Sequence, residues 1–515
     1  MIKNLLAIVL KAAGKRLKEV EKQVSDKSLP VEKVPAGYGP PWERGEEMPA
    51  TLPFNWSNAW KVIGPGFILL SLSIGSGEWL MGPASVLKYG TFVLWIVSIG
   101  IITQAAFNLV MTKYTLYTGE PIMVGLTRLA PGPSLWVPIW VLISVVSIGP
   151  GWAAGSATAM AAMFMGRMPG NADKAVVLGS GVVLFLTTVF ILMFGGKVEA
   201  WLEKVNKWIV YFIFGSLFIL VILFAPFDKW IEVAGGFFKF GQLPKGKVDW
   251  FLLAGLAGYA GAGGILNMGV TNWYRDKGYG MGAVVGYIPS LVGGKEIRVA
   301  KSGRVPPQNQ TTLERFKDWW RYVVLDQIGV WTVGAFVGMF LTVLLSYSMV
   351  PTGTNMDGWA AAAHQAEGVG KVMGSLGWYW VLMIGFWVLY GTQLSNSDSF
   401  VRQMSDLLWV ASPWVREKLS KEDIRRLYYG LLILFTIWSI YLAFQGTPMF
   451  LVAFMANAAN LAFTVGGLQL LFLEKFYPKE LKTPLWAKAL IVLLVLFYGA
   501  FTFIGFGTKF FGLKL

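Results

Sequence analysis

From residue 59 onward the chain is a series of apolar stretches, each about 20 residues or longer, joined by shorter polar connections. About 20 apolar residues of α-helix cross the hydrocarbon core of a bilayer. No water reaches backbone N–H and C=O groups there, so such stretches satisfy them internally as helices. No alternating ten-residue pattern supports a membrane barrel. Eleven spans are predicted, at 59–87, 91–113, 134–163, 175–195, 198–225, 250–274, 321–350, 376–402, 425–446, 447–474 and 484–507. The fold class is all-α and polytopic, with a spanning region over 58–507 and a short extracytoplasmic tail at 508–515.

The first 57 residues read differently. Ile2, Leu5, Leu6, Val9, Leu10, Ala13, Leu17, Val20 and Val24 recur at helical spacing, with Lys11, Lys15, Lys18 and Lys22 largely elsewhere. That pattern predicts an amphipathic helix over 1–24 lying on the membrane surface. A signal peptide would need a longer apolar core and a small-residue cleavage site. Residues 25–57, with Pro30, Pro35, Pro40, Pro41 and Pro49, read as an extended cytoplasmic linker.

Composition sharpens the membrane reading. Of 515 residues, 55% are hydrophobic and 14% charged, whereas a soluble domain is about a quarter charged. The net charge of +15 does not point to nucleic acid, because Lys and Arg sit between apolar spans and suit lipid headgroups and topology. The 275–321 loop holds Arg275, Lys277, Lys295, Arg298, Lys301, Arg304, Arg315, Lys317 and Arg321, and 403–427 and 475–483 are also basic. An N-terminus inside and a C-terminus outside therefore satisfies the positive-inside rule, in the plasma (inner) membrane of a prokaryote. The 226–249 connection, with Lys229, Lys239, Lys245 and Lys247, is the outside loop that runs against it. With no cysteine and one histidine, His364, disulfides and thiolate or histidine-cluster metal sites are excluded. Neither an enzyme activity nor a bound cofactor is expected.

Two spans carry helix-breaking sequence at mid-length. In the first, Gly75-Ser76-Gly77 precedes Glu78, which predicts a half-helix, a short unwound stretch and a second half-helix starting near Glu78. In the sixth, Gly255, Gly258, Gly261, Gly263 and Gly264 crowd the middle, followed by Asn267. Interrupted helices five spans apart are the sequence mark of a binding site between inverted repeats. Close helix packing is the competing reading of the same glycines. Glu78 at mid-span is either a cap or a group that meets a cation or a proton. Span eight is polar: Gln393, Asn396 and Ser397 share one face, and Ser395, Asp398, Ser399 and Arg402 another. Asp398 and Arg402 are also spaced as a structural i,i+4 ion pair. Asp326, Asn457 and Asn460 are further interior candidates, each explicable as a helix–helix hydrogen-bonding residue.

The segment Gly64-Pro65-Gly66-Phe67 followed by Ile74-Gly75-Ser76-Gly77-Glu78-Trp79, with Tyr89-Gly90, Leu94-Trp95 and Thr118-Gly119, resembles the Nramp family of proton-coupled divalent-metal transporters. The resemblance implies the LeuT-type fold, two inverted five-helix repeats plus an eleventh helix, with helices one and six broken. It also exposes departures. The family's helix-one metal-binding aspartate falls on Gly75 and its ligand asparagine on Glu78. Its Met-Pro-His would lie at Ile265-Leu266-Asn267, with Met268 one frame away, and span three has no acid for the proton relay. A family-typical transition-metal site is therefore not expected.

The site residues expected from the sequence are Gly75, Ser76, Gly77, Glu78, Gly263, Gly264, Asn267, Gln393 and Asn396. Glu78, Ser395, Asp398 and Ser399 are the coupling candidates, and Glu78 is the one metal ligand. The leading expectation is a divergent Nramp-related secondary transporter of a small cation, in which oxygen-only ligation suits a hard ion such as Mg²⁺. The alternative is an amino acid or other small organic solute, coupled to Na⁺ or H⁺ and held by half-helix N-termini. A sensor or scaffold derived from a transporter is the third.

Overall fold

The computed structural model describes residues 32–194, 198–291, 299–356, 358–360 and 362–514. The amphipathic segment expected at 1–24, and the first residues of the linker, lie outside the described residues.

Helix α1 (Trp56–Val62) starts on Asn55, whose side chain accepts from the Asn58 amide at 2.8 Å. The chain then bends by 65° into α2 (Pro65–Ser73), which a turn at Ile74–Gly75 and a π-helical stretch, Gly77–Met81, continue into α3 (Gly82–Tyr89). Next come α4 (Trp95–Thr118), α5 (Pro133–Ser147), α6 (Gly151–Met165), α7 (Lys174–Met193) and α8 (Val198–Phe224). A short α9 (Phe227–Gly236) precedes α10 (Trp250–Tyr259) and α11 (Ile265–Lys277). The remaining helices are α12 (Gln310–Val324), α13 (Val333–Met349), α14 (His364–Ala411), α15 (Ile424–Ala443), α16 (Pro448–Leu473) and α17 (Leu485–Phe510).

Nine helical stretches among the described residues are long and apolar enough to cross a membrane, and the bent pair at 56–89 makes a tenth. The span expected at 250–274 is the pair α10 and α11, each too short to cross alone. This is the architecture of an integral membrane protein. Three boundaries differ from expectation, one being the span expected at 321–350, which starts at Gln310. α14 extends back to His364 through a kink at Gly374 (φ 66°), and α17 runs on to Phe510, through the first residues expected as tail.

The linker expected at 25–57 is, over its described part, an ordered strap across the basic end of the bundle. Lys33–Val34 pairs antiparallel with Trp42–Arg44, which pairs in parallel with Arg304–Val305. Beneath it Arg128 is buried against Glu120, its Nη1 donating to the Pro40 carbonyl at 2.6 Å. Burial works to raise the Glu120 carboxyl, but Arg128, Tyr114 and Trp42 outweigh it and hold it below the usual carboxylate range. Further along, Trp319 Nε1 donates to the Pro49 carbonyl (2.8 Å), and the Tyr322 hydroxyl to that of Pro53 (3.0 Å). Each bond satisfies a strap backbone group that a loose linker would leave to water.

Candidate functional site

The break in helix six is complete. After Tyr259 the chain leaves helical geometry at Ala260 (ψ 90°), and Gly261, Gly263 and Gly264 take φ of 105°, 97° and 66°, a left-handed region that a side chain rarely enters. The backbone groups freed there are met by side chains. Gln104 of α4 donates to the Ala260 carbonyl (2.6 Å) and accepts from the Ala262 amide (3.0 Å). Asn267 caps α11, accepting from the Gly264 amide at 3.0 Å and donating to Asn108 at 2.9 Å. Asn267 is thereby a brace of the break. Gln104 and Asn108 escaped the sequence reading, although two amides at i,i+4 inside an apolar span are a legible signal.

Helix one corrects an expectation. The interruption is only a turn at Ile74–Gly75: Ser76 is already helical and the Trp79 amide donates to the Gly75 carbonyl at 2.9 Å. The glycines serve close approach. A Cβ on Gly75 would overlap Thr392 Oγ1 of α14, and one on Gly77 would overlap the Tyr259 carbonyl at the edge of the helix-six break. Gly77→Ala is therefore expected to destabilise the protein by about 1–3 kcal/mol, the range for overpacking. Gly215→Ala in α8, where nothing lies within 4 Å, should be neutral or slightly stabilising. Thermal unfolding of the two variants in one detergent checks the contrast, and equal melting temperatures would refute it.

A third interruption, read as continuous helix from sequence, falls in span three. Ile148 is extended (φ −127°, ψ 124°) and Gly149-Pro150 separates α5 from α6, because proline withholds the amide a continuing helix needs. The break turns Trp152 inward. Its Nε1 donates to Ser76 Oγ at 2.9 Å, and its ring lies 5.4 Å from that of Tyr259. Gln393 of α14 accepts from the Ala153 amide near the start of α6 at 3.3 Å.

Glu78 sits where these elements meet. It is fully buried, and neither carboxyl oxygen makes a hydrogen bond. The backbone donors beside it, its own amide and that of Gly261, fall outside hydrogen-bond geometry. No ion pair reaches it among the described residues, and no group of three or more His, Cys, Asp or Glu side chains is placed to hold a metal. An unpaired buried carboxylate costs several kcal/mol unless a proton or a cation neutralises it. The site is thus organised around one acid with unused acceptors.

The polar helix α14 sends its candidates in different directions. Asn396 is buried with both side-chain polar atoms unbonded. Ser395 donates to Asn206 of α8 (3.1 Å), and Ser399 lies against Gly269 of α11. Asp398 accepts from Trp273 (2.8 Å), Tyr428 (2.6 Å) and Arg402 (2.6 Å), and Arg402 also pairs with Asp276. Arg275 extends this buried network to Asp406. Ser395, Asp398 and Ser399 do not converge on one point, and Asp398 holds the position of an ion-pair anchor. Asp326 is likewise fully engaged. Its carboxylate accepts from the Gly64 and Gly66 amides (3.1 and 2.6 Å) and the Tyr274 hydroxyl (2.6 Å), capping α2 at the bend. Asn457 and Asn460 of α16 donate to the Phe251 and Ala254 carbonyls of α10, both at 2.9 Å.

The two ends of the bundle are unlike. At the basic end, Lys277 and Lys207 pair with Glu203 against the Ile63 carbonyl, and Tyr279 donates to the Val62 carbonyl at 2.8 Å. That cluster closes over the bend in helix one. At the opposite end a cavity of about 620 Å³ opens between Ala84, Lys88, Asp249, Phe251, Ala453 and Lys509. Ala84 in its lining is six residues from Glu78, about 9 Å along a helix.

No protein-family model matches the sequence, and no curated protein does. Solved structures do match. The manganese transporter of Eremococcus coleocola, as a histidine-to-alanine variant, is 14% identical with a TM-score of 0.62, covering 91% of this chain and 92% of that one. The same transporter in complex with an aromatic bis-isothiourea substituted compound gives 14% identity, a TM-score of 0.60 and the same coverage. Likeness at that identity speaks for the fold, and the fold of this chain is the LeuT type that the Nramp resemblance implied.

Proposed function

We propose that the protein is a secondary transporter of a small, hard cation, with Glu78 as the charged ligand. The observation that carries this reading is the buried carboxylate with two unbonded oxygens, set where helix one packs on the break in helix six. Mg²⁺ is the favoured substrate, because it keeps several waters and needs only one or two carboxylates, whereas Mn²⁺ or Fe²⁺ would favour the softer ligands this sequence lacks. The open cavity at one end and the closed cluster at the other support alternating access to this site. The density of Arg and Lys at the closed end supports placing that end in the cytoplasm.

A second reading rests on the Trp152 and Tyr259 rings beside Ser76. An organic amine would set its ammonium on Glu78 and its body against those faces. Uptake of Mg²⁺ into proteoliposomes, with Ca²⁺, Mn²⁺ and small amines as competitors, separates the two. Saturable Mg²⁺ uptake blocked by Ca²⁺ supports the cation reading. Amine uptake without any divalent flux would replace it.

A further inference from the structure

The 226–249 connection, with lysines on the side where few are expected, is built into the rim of the bundle. Helix α9 buries Val233 and Gly236, and a Cβ on Gly236 would overlap the Thr91 carbonyl. Beyond it the chain is pinned by its backbone. Ser98 Oγ donates to the Phe237 carbonyl at 2.8 Å, and Trp95 Nε1 to the Gln242 carbonyl at 2.7 Å. Held this way, the segment turns Phe238 and Phe240 outward, at 75% and 56% exposure. They do not stand alone. With Ile102 of α4, Phe237, and Phe336 and Phe340 of α13, they line an almost wholly apolar groove of about 440 Å³ that opens on the side of the bundle. Val337 of α13 lines the groove as well, and Val333 one turn before it is exposed, as expected of a surface wetted by lipid.

The same stretch of chain carries the charge. Gln242, two residues after Phe240 of the groove, lines a polar cavity of about 530 Å³ together with Lys88, Tyr89, Phe92, Leu243 and Lys245. Of the charges here, Lys229 pairs with Glu232 and Lys88 with Asp249. Exposed Lys239, Lys245 and Lys247, against the one further acid Asp228, leave surplus positive charge within ten residues of Phe238 and Phe240. An exposed apolar slot whose own connection carries surplus lysines matches one chemistry, an acyl chain attached to a phosphate.

We propose that this groove binds one anionic phospholipid, an acyl chain lying along Phe238, Phe240 and Phe340 and the headgroup phosphate held by Lys239, Lys245 and Lys247. The proposal does not depend on what Glu78 binds. It also accounts for lysines on a side of the membrane where translocation disfavours them.

The test is lipid retention by the full chain in detergent, read by native mass spectrometry and by thermal unfolding. The probes are phosphatidylglycerol, phosphatidylcholine of the same chains, and inorganic phosphate. The expected result is one retained phosphatidylglycerol with a raised melting temperature, at least ten-fold weaker retention of phosphatidylcholine, and no response to phosphate. Lys239→Gln/Lys245→Gln/Lys247→Gln, all surface changes, should remove the preference, and Val337→Trp, which fills the slot, should remove retention of both lipids. Equal retention of the two lipids, or a triple variant with unchanged preference, would overturn the proposal. So would a dimer that Phe238→Ser dissolves, which would assign the groove to a second copy of this chain.

Discussion

Glu78→Gln should remove the response to Mg²⁺ while leaving the fold intact, and should make the ligand-free protein more stable than the wild type. The amide has nearly the shape of the carboxyl, so neither the packing of helix one nor the helix-six break is disturbed. It cannot carry the charge whose burial, unpaired, opposes folding. A ligand that binds only the folded form at one hundred times its dissociation constant stabilises by about 2.7 kcal/mol. For a protein of this size that is a shift of several degrees in the wild type. In Glu78→Gln the expected shift is zero, and Mg²⁺ uptake is lost with it. A variant that keeps its shift and its uptake would remove Glu78 from the site altogether.

The second large effect lies on α14, at Arg402. Its guanidinium is fully buried between Asp398 and Asp276, and it ties α14 to α11. Arg402→Ala strands two carboxylates in the interior, which costs about 3–5 kcal/mol for a pair broken from one side. Arg402→Lys is expected to recover little, because one ammonium cannot reproduce the forked geometry on Asp398. Replacing Arg402, Asp398 and Asp276 together with apolar residues of similar volume should recover most of the loss. Thermal unfolding of the three variants is the measurement. A single Arg402→Ala substitution melting within about a degree of wild type would show that the network adds nothing to stability.

The spans were legible because length and apolarity alone define them, and the glycine cluster at 255–264 marked the helix-six break. Helix one shows why the same signal misled. Glycine is demanded both where a helix unwinds and where two backbones touch, and Gly75 and Gly77 are of the second kind. The Gly149-Pro150-Gly151 interruption was overlooked because the apolar run continues through it on both sides. The Gln104 and Asn108 pair marks itself locally as two amides in an apolar span, but the partner it braces, the Ala260 carbonyl 156 positions away, is reported by no local pattern. The polar stripe of α14 was read correctly as polar, but its directions come from what packs around it. Ser395 meets Asn206 and Asp398 meets Trp273 and Tyr428, and those neighbours are set by the fold.

The strap at 33–44 also sets a schedule. Trp42–Arg44 pairs with Arg304–Val305, about 260 residues further along the chain. At a synthesis rate of roughly 5–20 residues per second, the partner strand emerges some 10–50 seconds after the strap does. Through that interval six spans enter the membrane while Trp42 and Val34 wait without their final neighbours. Closure of this end therefore waits on chain made some 260 residues after the strap.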